Sequence, residues 1–384
     1  MNRVAICQPT VILGGRLRVI LGIVEVLNEA GIVPDILAAR IRFDPAQVVE
    51  WYGRPIRAHF RLLPGVPRLP VDTLTVLFNI SLWWYGRSYA LLINTGNSLL
   101  FLPRSQNVLT YMFFPRKARL ITPDVSIHLP GKRLPLWSRH RLQRLILRPL
   151  YHLSKPDPKH TIVCMTRFTR EALRAVYDLP SDLPVVYPPV EIDRFRASPH
   201  ARPLSVITLG RFTPDKRQLE QIQIAERVPH IPFHIVGFAG NNPYYQNCRR
   251  YIEEHDVRNV HLRPDLPFAE MLPLLQSARY FLHTTINEPF GITTVQAIAA
   301  GCLPVVHDSG GQREIVIEAA LRYRSFQEVP AVLSELERMG ESERCSLVRR
   351  LQEHVVANFD EKIFAKRMRA ILLRYLEEEQ CLRD

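Results

Sequence analysis

The chain has 384 residues, too many for one ordinary hydrophobic core, so its length predicts two domains. Apolar residues make up 47% of the sequence and charged residues 23%, a balance that excludes a disordered or fibrous chain. The six cysteines are scattered without a CxxC pair. This spacing argues against a disulfide scaffold or a zinc site and favours a reducing compartment.

The excess positive charge lies almost entirely in the first half of the chain. Residues 1–188 contain 25 lysine and arginine residues and 11 acidic residues, whereas residues 189–384 contain 25 and 26. We therefore expect the first half to face an anionic partner. Nucleic acid, anionic lipid and a phosphorylated substrate are all open at this point.

The sequence offers no segment of the length that a membrane span needs. The most apolar stretch, residues 73–86, has 14 residues without charge, against roughly 20 for a spanning helix. Near the N-terminus, Arg3 precedes only a short apolar run, which is not a signal peptide. We expect a cytoplasmic protein, or one that is peripheral on the cytoplasmic face of a membrane.

The first forty residues predict a strand, a helix and a second strand. Val4–Cys7 is a short apolar run, and Gly14 and Gly15 follow a loop. Apolar residues then recur at helical spacing until Gly31, and Ile36–Ala38 resumes a strand. Such a crossover implies a parallel sheet.

The same rhythm restarts after the proline-rich connector at residues 185–189. The predicted elements are strand Ser205–Leu209, helix Gln218–Arg227, strand Phe233–Val236, strand Tyr280–Thr284, helix Gly291–Ala300 and strand Pro304–His307. We predict domains over residues 1–190 and 200–358, and a helix over 359–384 that packs back on the first domain. Ligands of such sheets bind at the carboxyl ends of the strands, which makes the cleft between two such domains the natural site.

The densest chemical signal is the segment from Glu288 to Gln296. Glu288 stands on a loop after a strand, and Gly291 opens a helix. A helix start suits a phosphate, and Glu288 could accept hydrogen bonds from sugar hydroxyls. A loop carboxylate without a ligand is the alternative.

A second signal is the pair of cations Arg211 and Lys216, which follow another strand. Two cations on one loop suit a diphosphate. The alternative is two solvated surface cations.

A basic stretch at residues 132–155 is the third signal, and its arginines are Arg133, Arg139, Arg141, Arg144 and Arg148. Arg141, Arg144 and Arg148 share one predicted helical face, and apolar residues share another. Such a helix suits an anionic membrane or a lipid-diphosphate headgroup, and equally a surface helix with its apolar face in the core. Nucleic acid is disfavoured because no recognised binding motif accompanies the charge.

Together these motifs resemble the retaining glycosyltransferases of family 4. The resemblance is carried by Gly210-Arg211-Phe212 with Lys216, by Glu288–Gly291, and by Asp308–Gly311 with Glu314. The linker Val186–Val190 with Phe195 is similar to that of mannosyltransferases in this family that extend lipid-linked glycans. The resemblance implies an α/β chain of the GT-B class, with two Rossmann-like domains facing across a cleft and helices at the C-terminus.

The resemblance also implies roles for individual residues. The catalytic set would be Arg211 and Lys216, which bind the donor diphosphate, and Glu288, which binds the transferred sugar. The donor-binding residues would be Gly15, Phe290, Gly291, Ile292, Thr293 and Gln296, with the Phe290–Thr293 backbone holding a phosphate. The acceptor or membrane side would include Phe113 and the arginines at 139, 141, 144 and 148.

Two positions depart from the family pattern. The family usually has a second glutamate where this sequence has Gln296, which keeps a hydrogen-bonding oxygen but not the charge. The family also often has a histidine where this sequence has Phe113.

Our prediction is a retaining, metal-independent glycosyltransferase that moves a sugar from a nucleotide donor to a lipid-linked or polymeric glycan. The linker resemblance favours GDP-mannose as the donor. The sequence has no Asp-x-Asp motif, so we expect no metal site and no cofactor besides the nucleotide sugar. The alternatives are a non-catalytic subunit that binds a sugar nucleotide, suggested by Phe113 and Gln296, and a basic membrane adaptor on the same fold.

Overall fold

The structure is a computed structural model that describes residues 3–44, 48, 52–63, 71–99, 106–115, 160–177, 179–198, 202–240 and 242–381. Within these ranges the chain forms two compact units. The first comprises the residues up to Pro189 and those from Glu361 onward, and the second is the continuous segment Val190–Asp360. The basic stretch at residues 132–155 lies outside the described residues.

Each unit is built on a parallel six-stranded sheet. The described strands are β1 Val4–Cys7, β2 Thr10–Val11, β3 Asp35–Ala38, β4 Arg40–Ile41, β5 His59–Leu62, β6 Leu91–Asn94, β7 Asn107–Met112, β8 Thr161–Cys164, β9 Val206–Leu209, β10 Phe233–Gly237, β11 Val260–Pro264, β12 Tyr280–His283, β13 Leu303–His307 and β14 Arg322–Tyr323. The sheet orders are β5-β3-β1-β6-β7-β8 and β11-β10-β9-β12-β13-β14, and β2 pairs with β4. In both sheets the order reverses beside the first strand, which is the Rossmann arrangement.

The described helices are α1 Gly15–Glu29, α2 Val71–Tyr85, α3 Arg167–Arg174, α4 Ile192–Phe195, α5 Gln218–Glu226, α6 Pro243–Glu254, α7 Phe268–Ser277, α8 Ile292–Ala299, α9 Gln312–Ile315, α10 Val329–Arg338, α11 Glu341–Phe359 and α12 Glu361–Cys381. The strands and helices predicted in the second unit are confirmed to within one residue at most ends. Helices cover both faces of a parallel sheet, so its strands are short runs of apolar residues. Such runs between helical patterns were therefore a reliable signal.

The most apolar stretch of the sequence folds as α2, whose 15 residues run from Val71 to Tyr85. Phe78 and Leu82 are fully buried in a core with Ala5 and Leu92 of the sheet. Among the described residues, no helix combines the length and the apolar character needed to cross a membrane.

The last helix, α12, completes the first unit by packing on α1. A Cβ atom at Gly22 of α1 would lie 2.9 Å from a ring carbon of Phe364, so glycine lets the two helices approach closely. Ion pairs join Arg54 to Glu361 and Glu29 to Arg369 on the same side.

In the second unit, the loops after β9 and β10 touch through glycine backbone. A Cβ atom at Gly237, the last residue of β10, would overlap the carbonyl oxygen and carbon of Gly210. Backbone cannot retreat as a flexible side chain does, because the Gly210 amide also donates a 3.0 Å hydrogen bond to the Val236 carbonyl oxygen.

We therefore expect Gly237→Ala to lower the free energy of unfolding by about 3 kcal/mol or more, as overpacking against fixed backbone does. Urea denaturation followed by circular dichroism measures the effect. Gly340→Ala is the matched control, because a Cβ atom there would meet nothing within 4 Å. Its effect should be about 1 kcal/mol or less. Equal effects of the two substitutions would contradict the close approach.

Candidate active site

The residues singled out in the second half of the sequence lie on two loops of one sheet edge. Arg211 and Lys216 follow β9, and Glu288 follows β12. These two strands are neighbours at the point where the strand order reverses. Loops that leave neighbouring strands there diverge to opposite faces of the sheet and open a crevice between them.

An ion pair joins the two loops. The Lys216 Nζ atom lies 2.5 Å from the Glu288 Oε2 atom, and the two side chains are 25% and 17% exposed. The pair is therefore shielded enough to be held firmly, yet each partner can still be reached from solvent.

The loop that carries Lys216 is held in place by side chains behind it. The Thr284 hydroxyl donates a 2.8 Å hydrogen bond to the Lys216 carbonyl oxygen and accepts one of 2.7 Å from the Gln221 amide. The Gln218 amide donates a 2.8 Å hydrogen bond to the Arg211 carbonyl oxygen. These bonds fix the backbone at both cations, so the sequence positions them without help from a ligand.

The loop that carries Glu288 rests on Gly310 and Gly311. A Cβ atom at Gly310 would overlap the Glu288 carbonyl oxygen, and one at Gly311 would overlap the Pro289 carbonyl oxygen. The Gly311 amide also donates a 2.8 Å hydrogen bond to the Glu288 carbonyl oxygen. The two glycines thus allow the Glu288 loop to lie in close backbone contact with the loop that follows β13.

Sequence reasoning missed His283, which lies directly beneath the ion pair. Its Nε2 atom is 3.7 Å from the Glu288 Oε2 atom, and its Nδ1 atom is 3.4 Å from the Gln312 side-chain nitrogen. Burial lowers the pKa of His283 to about 3, and the Lys216 ammonium acts in the same direction. His283 is therefore neutral at physiological pH. A histidine at the end of an otherwise apolar strand was the available sequence signal.

The His283 ring touches the Gln312 side chain with one nitrogen and faces Glu288 with the other. A neutral ring carries its proton on one of the two nitrogens, and the Gln312 amide group can donate to Nδ1 or accept from it.

Helix α8 begins next to Glu288. Gly291 has a φ of 112°, which glycine adopts without strain, and a Cβ atom there would overlap the Gln312 side chain. The Thr294 and Val295 amides return to the Gly291 carbonyl oxygen. Like those of any helix start, the first amides of α8 lack partners within the helix and form a positive end.

The remaining donor-side residues are distributed around this helix. Phe290 is buried and packs edge-to-face against Phe359, with ring centroids 5.4 Å apart. Ile292, Thr293 and Gln296 are partly exposed on the first two turns of α8. The Arg211 side chain is exposed, and no ion pair or hydrogen bond engages it within the described part of the chain.

The first unit brings together a second group of residues at the corresponding sheet edge. Gly15 is the first residue of α1, and Phe113 follows β7. The Arg16 guanidinium lies 4.9 Å from the centre of the Phe113 ring, and it donates a 3.4 Å hydrogen bond to Asn97. Phe113 is buried, and Arg16 and Asn97 were not identified from the sequence.

The arginines at 139, 141, 144 and 148, predicted on the acceptor or membrane side, lie outside the described residues. Over the part of the chain that is described, no three histidine, cysteine, aspartate or glutamate side chains cluster as metal ligands would.

Comparison with solved structures assigns the fold. The chain superposes on sucrose-phosphate synthase from Thermosynechococcus elongatus with a TM-score of 0.73, over 99% of this chain and 100% of that one, at 14% identity. It superposes on HepE from Anabaena, solved with UDP and glucose, with a TM-score of 0.69 over 97% and 100% of the two chains, also at 14% identity. The chain therefore has the GT-B fold, as the sequence predicted.

Comparison of sequences assigns the second unit. Residues 190–331 match the family described as glycosyl transferases group 1, so this unit is a group 1 glycosyltransferase domain. The chain is also similar to the human GDP-Man:Man(3)GlcNAc(2)-PP-Dol alpha-1,2-mannosyltransferase, with 30% identity over 152 residues, 35% of this chain and 31% of that one. The Xenopus laevis enzyme of that name is 25% identical over 201 residues, 48% and 41% of the two chains. The chain thus matches less than half the length of these curated relatives.

Burial of His283 predicts that the free energy of unfolding depends on pH. The unfolded chain takes up a proton at His283 near the ordinary pKa of about 6.5, whereas the folded chain does so only near 3. Stability from this group is therefore complete above about pH 6.5 and declines as the pH falls towards 3. Between about pH 6.5 and pH 5 the loss should be about 2 kcal/mol.

The measurement compares urea denaturation of the parent chain and His283→Gln at the two pH values. The variant should lose about 2 kcal/mol less on acidification than the parent. His255→Gln, at an exposed histidine of the second unit, is the control and should follow the parent. A variant with the parent's pH dependence would show that His283 is protonated in the folded chain.

Proposed function

We propose that this protein is a glycosyltransferase that moves mannose from GDP-mannose to a lipid-linked glycan. The observation that carries the proposal is the Lys216–Glu288 pair beside the start of α8, in a unit that is a group 1 glycosyltransferase domain. Similarity to alpha-1,2-mannosyltransferases whose names specify GDP-mannose and a dolichol-linked acceptor supports the donor and the class of acceptor.

The donor site follows from the charges on the two loops. A sugar nucleotide carries a diphosphate, which two cations and a helix start together can neutralise. Arg211 and Lys216 supply the cations, and the amides of Ile292 and Thr293 supply the helix start. In the structure, Lys216 is paired with Glu288. A bound diphosphate would draw the ammonium away and leave the Glu288 carboxylate to accept hydrogen bonds from sugar hydroxyls.

The chemical step that we propose proceeds with retention at the sugar. The bond between the anomeric carbon and the diphosphate oxygen breaks, the acceptor hydroxyl oxygen forms the new bond on the same face, and the leaving diphosphate takes the acceptor proton. The protein's contribution is electrostatic, since Arg211 and Lys216 stabilise the charge that develops on the diphosphate. No protein nucleophile is required.

His283 and Gln312 have a supporting role in this proposal. A charged imidazolium would compete with the substrate for the Glu288 carboxylate, whereas a neutral ring orients it. The buried Gln312 amide holds that ring by one nitrogen. The contact with the ring therefore helps to hold the Glu288 carboxylate in position for the sugar.

The acceptor side of the proposal involves the first unit. Phe113 is buried at the sheet edge beneath the Arg16 guanidinium, so Arg16 is the group of this pair that an acceptor would reach. A lipid-linked glycan is presented at a membrane, so the enzyme would work as a peripheral protein on the cytoplasmic face. The arginines at 139, 141, 144 and 148 remain candidates for contact with that surface.

Lys216→Ala tests the donor site. Loss of one partner of a shielded charge pair costs about 2–5 kcal/mol, which is roughly thirty-fold to several-thousand-fold in GDP-mannose affinity or turnover. Calorimetric titration with GDP-mannose and a radiolabel transfer assay with a lipid-linked glycan measure the two quantities. Lys366→Ala, an exposed lysine on α12, is the control and should match the parent. A change below about threefold in Lys216→Ala would show a solvated surface cation.

Metal independence is tested separately. Because Arg211 and Lys216 supply the positive charge at the diphosphate, transfer should survive excess EDTA. Loss of activity that magnesium or manganese restores would overturn this part of the proposal and leave the donor site standing. Donor binding without transfer, with every acceptor tried, would favour a non-catalytic subunit.

A further inference from the structure

An exposed aromatic surface ends helix α2 of the first unit. Ile80, Trp83, Trp84 and Tyr85 are 55%, 40%, 69% and 48% exposed, although all four are large apolar or aromatic residues. The opposite side of the helix, with Phe78 and Leu82, is fully buried. The helix therefore needs only one of its faces for the core and leaves the other uncovered.

Three of these residues, Ile80, Trp83 and Trp84, lie on one stripe of the helix, whereas Tyr85 follows Leu82 by three positions and lies towards the buried side. Positions 80, 83, 84 and 87 recur at spacings of three and four, which places them along one side of a helix that continues into the next turn. Arg87 follows directly, and its guanidinium carbon lies 5.5 Å from the centre of the Trp84 ring. We call Ile80, Trp83, Trp84 and Arg87 the α2 aromatic surface.

We propose that the α2 aromatic surface docks on an anionic lipid bilayer, with the rings in the headgroup region and Arg87 against lipid phosphates. Tryptophan and tyrosine favour this depth because each ring is largely apolar and carries one polar group. The 15 residues of α2 are too few to span a bilayer, so the helix would lie along its surface.

Charge favours an anionic lipid as the occupant. Residues 51–123, which contain α2, have nine lysine and arginine residues and a single acidic residue, Asp72. Two copies of this chain that met through the surface would bring like charges together, which disfavours a dimer. Anionic headgroups supply the opposite charge over an area of any size.

This inference deepens the proposed function, on which its membrane setting rests, by assigning a surface of the first unit to the membrane contact. Binding to vesicles requires neither donor nor transfer, so a failure of either proposal is visible without the other. If both hold, the surface would bring the first unit to the membrane that carries a lipid-linked acceptor.

The experiment is sedimentation of the full chain with vesicles of phosphatidylcholine alone and with vesicles that contain roughly a third phosphatidylglycerol. We expect binding to rise about tenfold or more with the anionic lipid and to fall as salt is raised, because the attraction is screened. Tryptophan emission should shift to shorter wavelength as the rings leave water.

The double variant Trp83→Ser/Trp84→Ser should lower binding to the anionic vesicles at least about tenfold, which corresponds to about 1.4 kcal/mol. Arg87→Gln alone should lower it by roughly fivefold, since each basic residue near the surface contributes about 1 kcal/mol. Ile317→Ser removes a 49% exposed apolar residue from the second unit and is the matched control. Circular dichroism confirms that each variant is folded.

Equal vesicle binding by the parent and the double variant would overturn the proposal, as would no vesicle binding at all. Binding that is equally strong with neutral vesicles would overturn the assigned charge preference. Sedimentation equilibrium without lipid tests the alternative that the surface joins two copies of the chain. A parent dimer that the double variant abolishes would assign the surface to a second copy of the chain instead.

Discussion

The candidate active site depends on the ion pair between Lys216 and Glu288, because this contact joins loops from the two strands beside the reversal in strand order. Neither loop is set by the pair alone. Thr284 holds the Lys216 backbone by a hydrogen bond, and close contacts with Gly310 and Gly311 hold the Glu288 backbone. Opposite charges are thus brought together by hydrogen bonds and glycine contacts that carry no charge themselves, so the charges remain available to a ligand.

The side chains beneath the ion pair keep the Glu288 carboxylate available to a ligand. A buried histidine that ionised would give Glu288 a second cation and reduce its ability to bind hydroxyl groups. Burial and the Lys216 charge prevent this by lowering the pKa of His283 to about 3. The Gln312 side chain contacts the other ring nitrogen and helps to hold the ring in place. The site therefore has one cation, Lys216, and one neutral ring, His283, around a single carboxylate.

The sequence predicted what depends on local pattern. The strand–helix rhythm and the loop position of Glu288 follow from periodicity and from glycine at a helix start, and both are confirmed. His283 and Gln312 could not be paired from the sequence, since their contact joins residues 29 positions apart across two strands. The same holds for Arg16 over the Phe113 ring, because this contact joins the start of α1 to the end of β7, which is separated from β1 by β6 in the sheet.

The place of α12 has a consequence for the order in which the chain can fold during synthesis. The second unit is continuous, so all of its residues have been made when Asp360 is added. The first unit is not, because the surface of α1 around Gly22 is covered by Phe364, and Glu29 is paired with Arg369, a residue 340 positions later. A chain growing from its N-terminus usually completes its first domain first. Here the half that emerges first must keep the surface of α1 around Gly22 uncovered until α12 has been made, and the half that emerges second is complete before it.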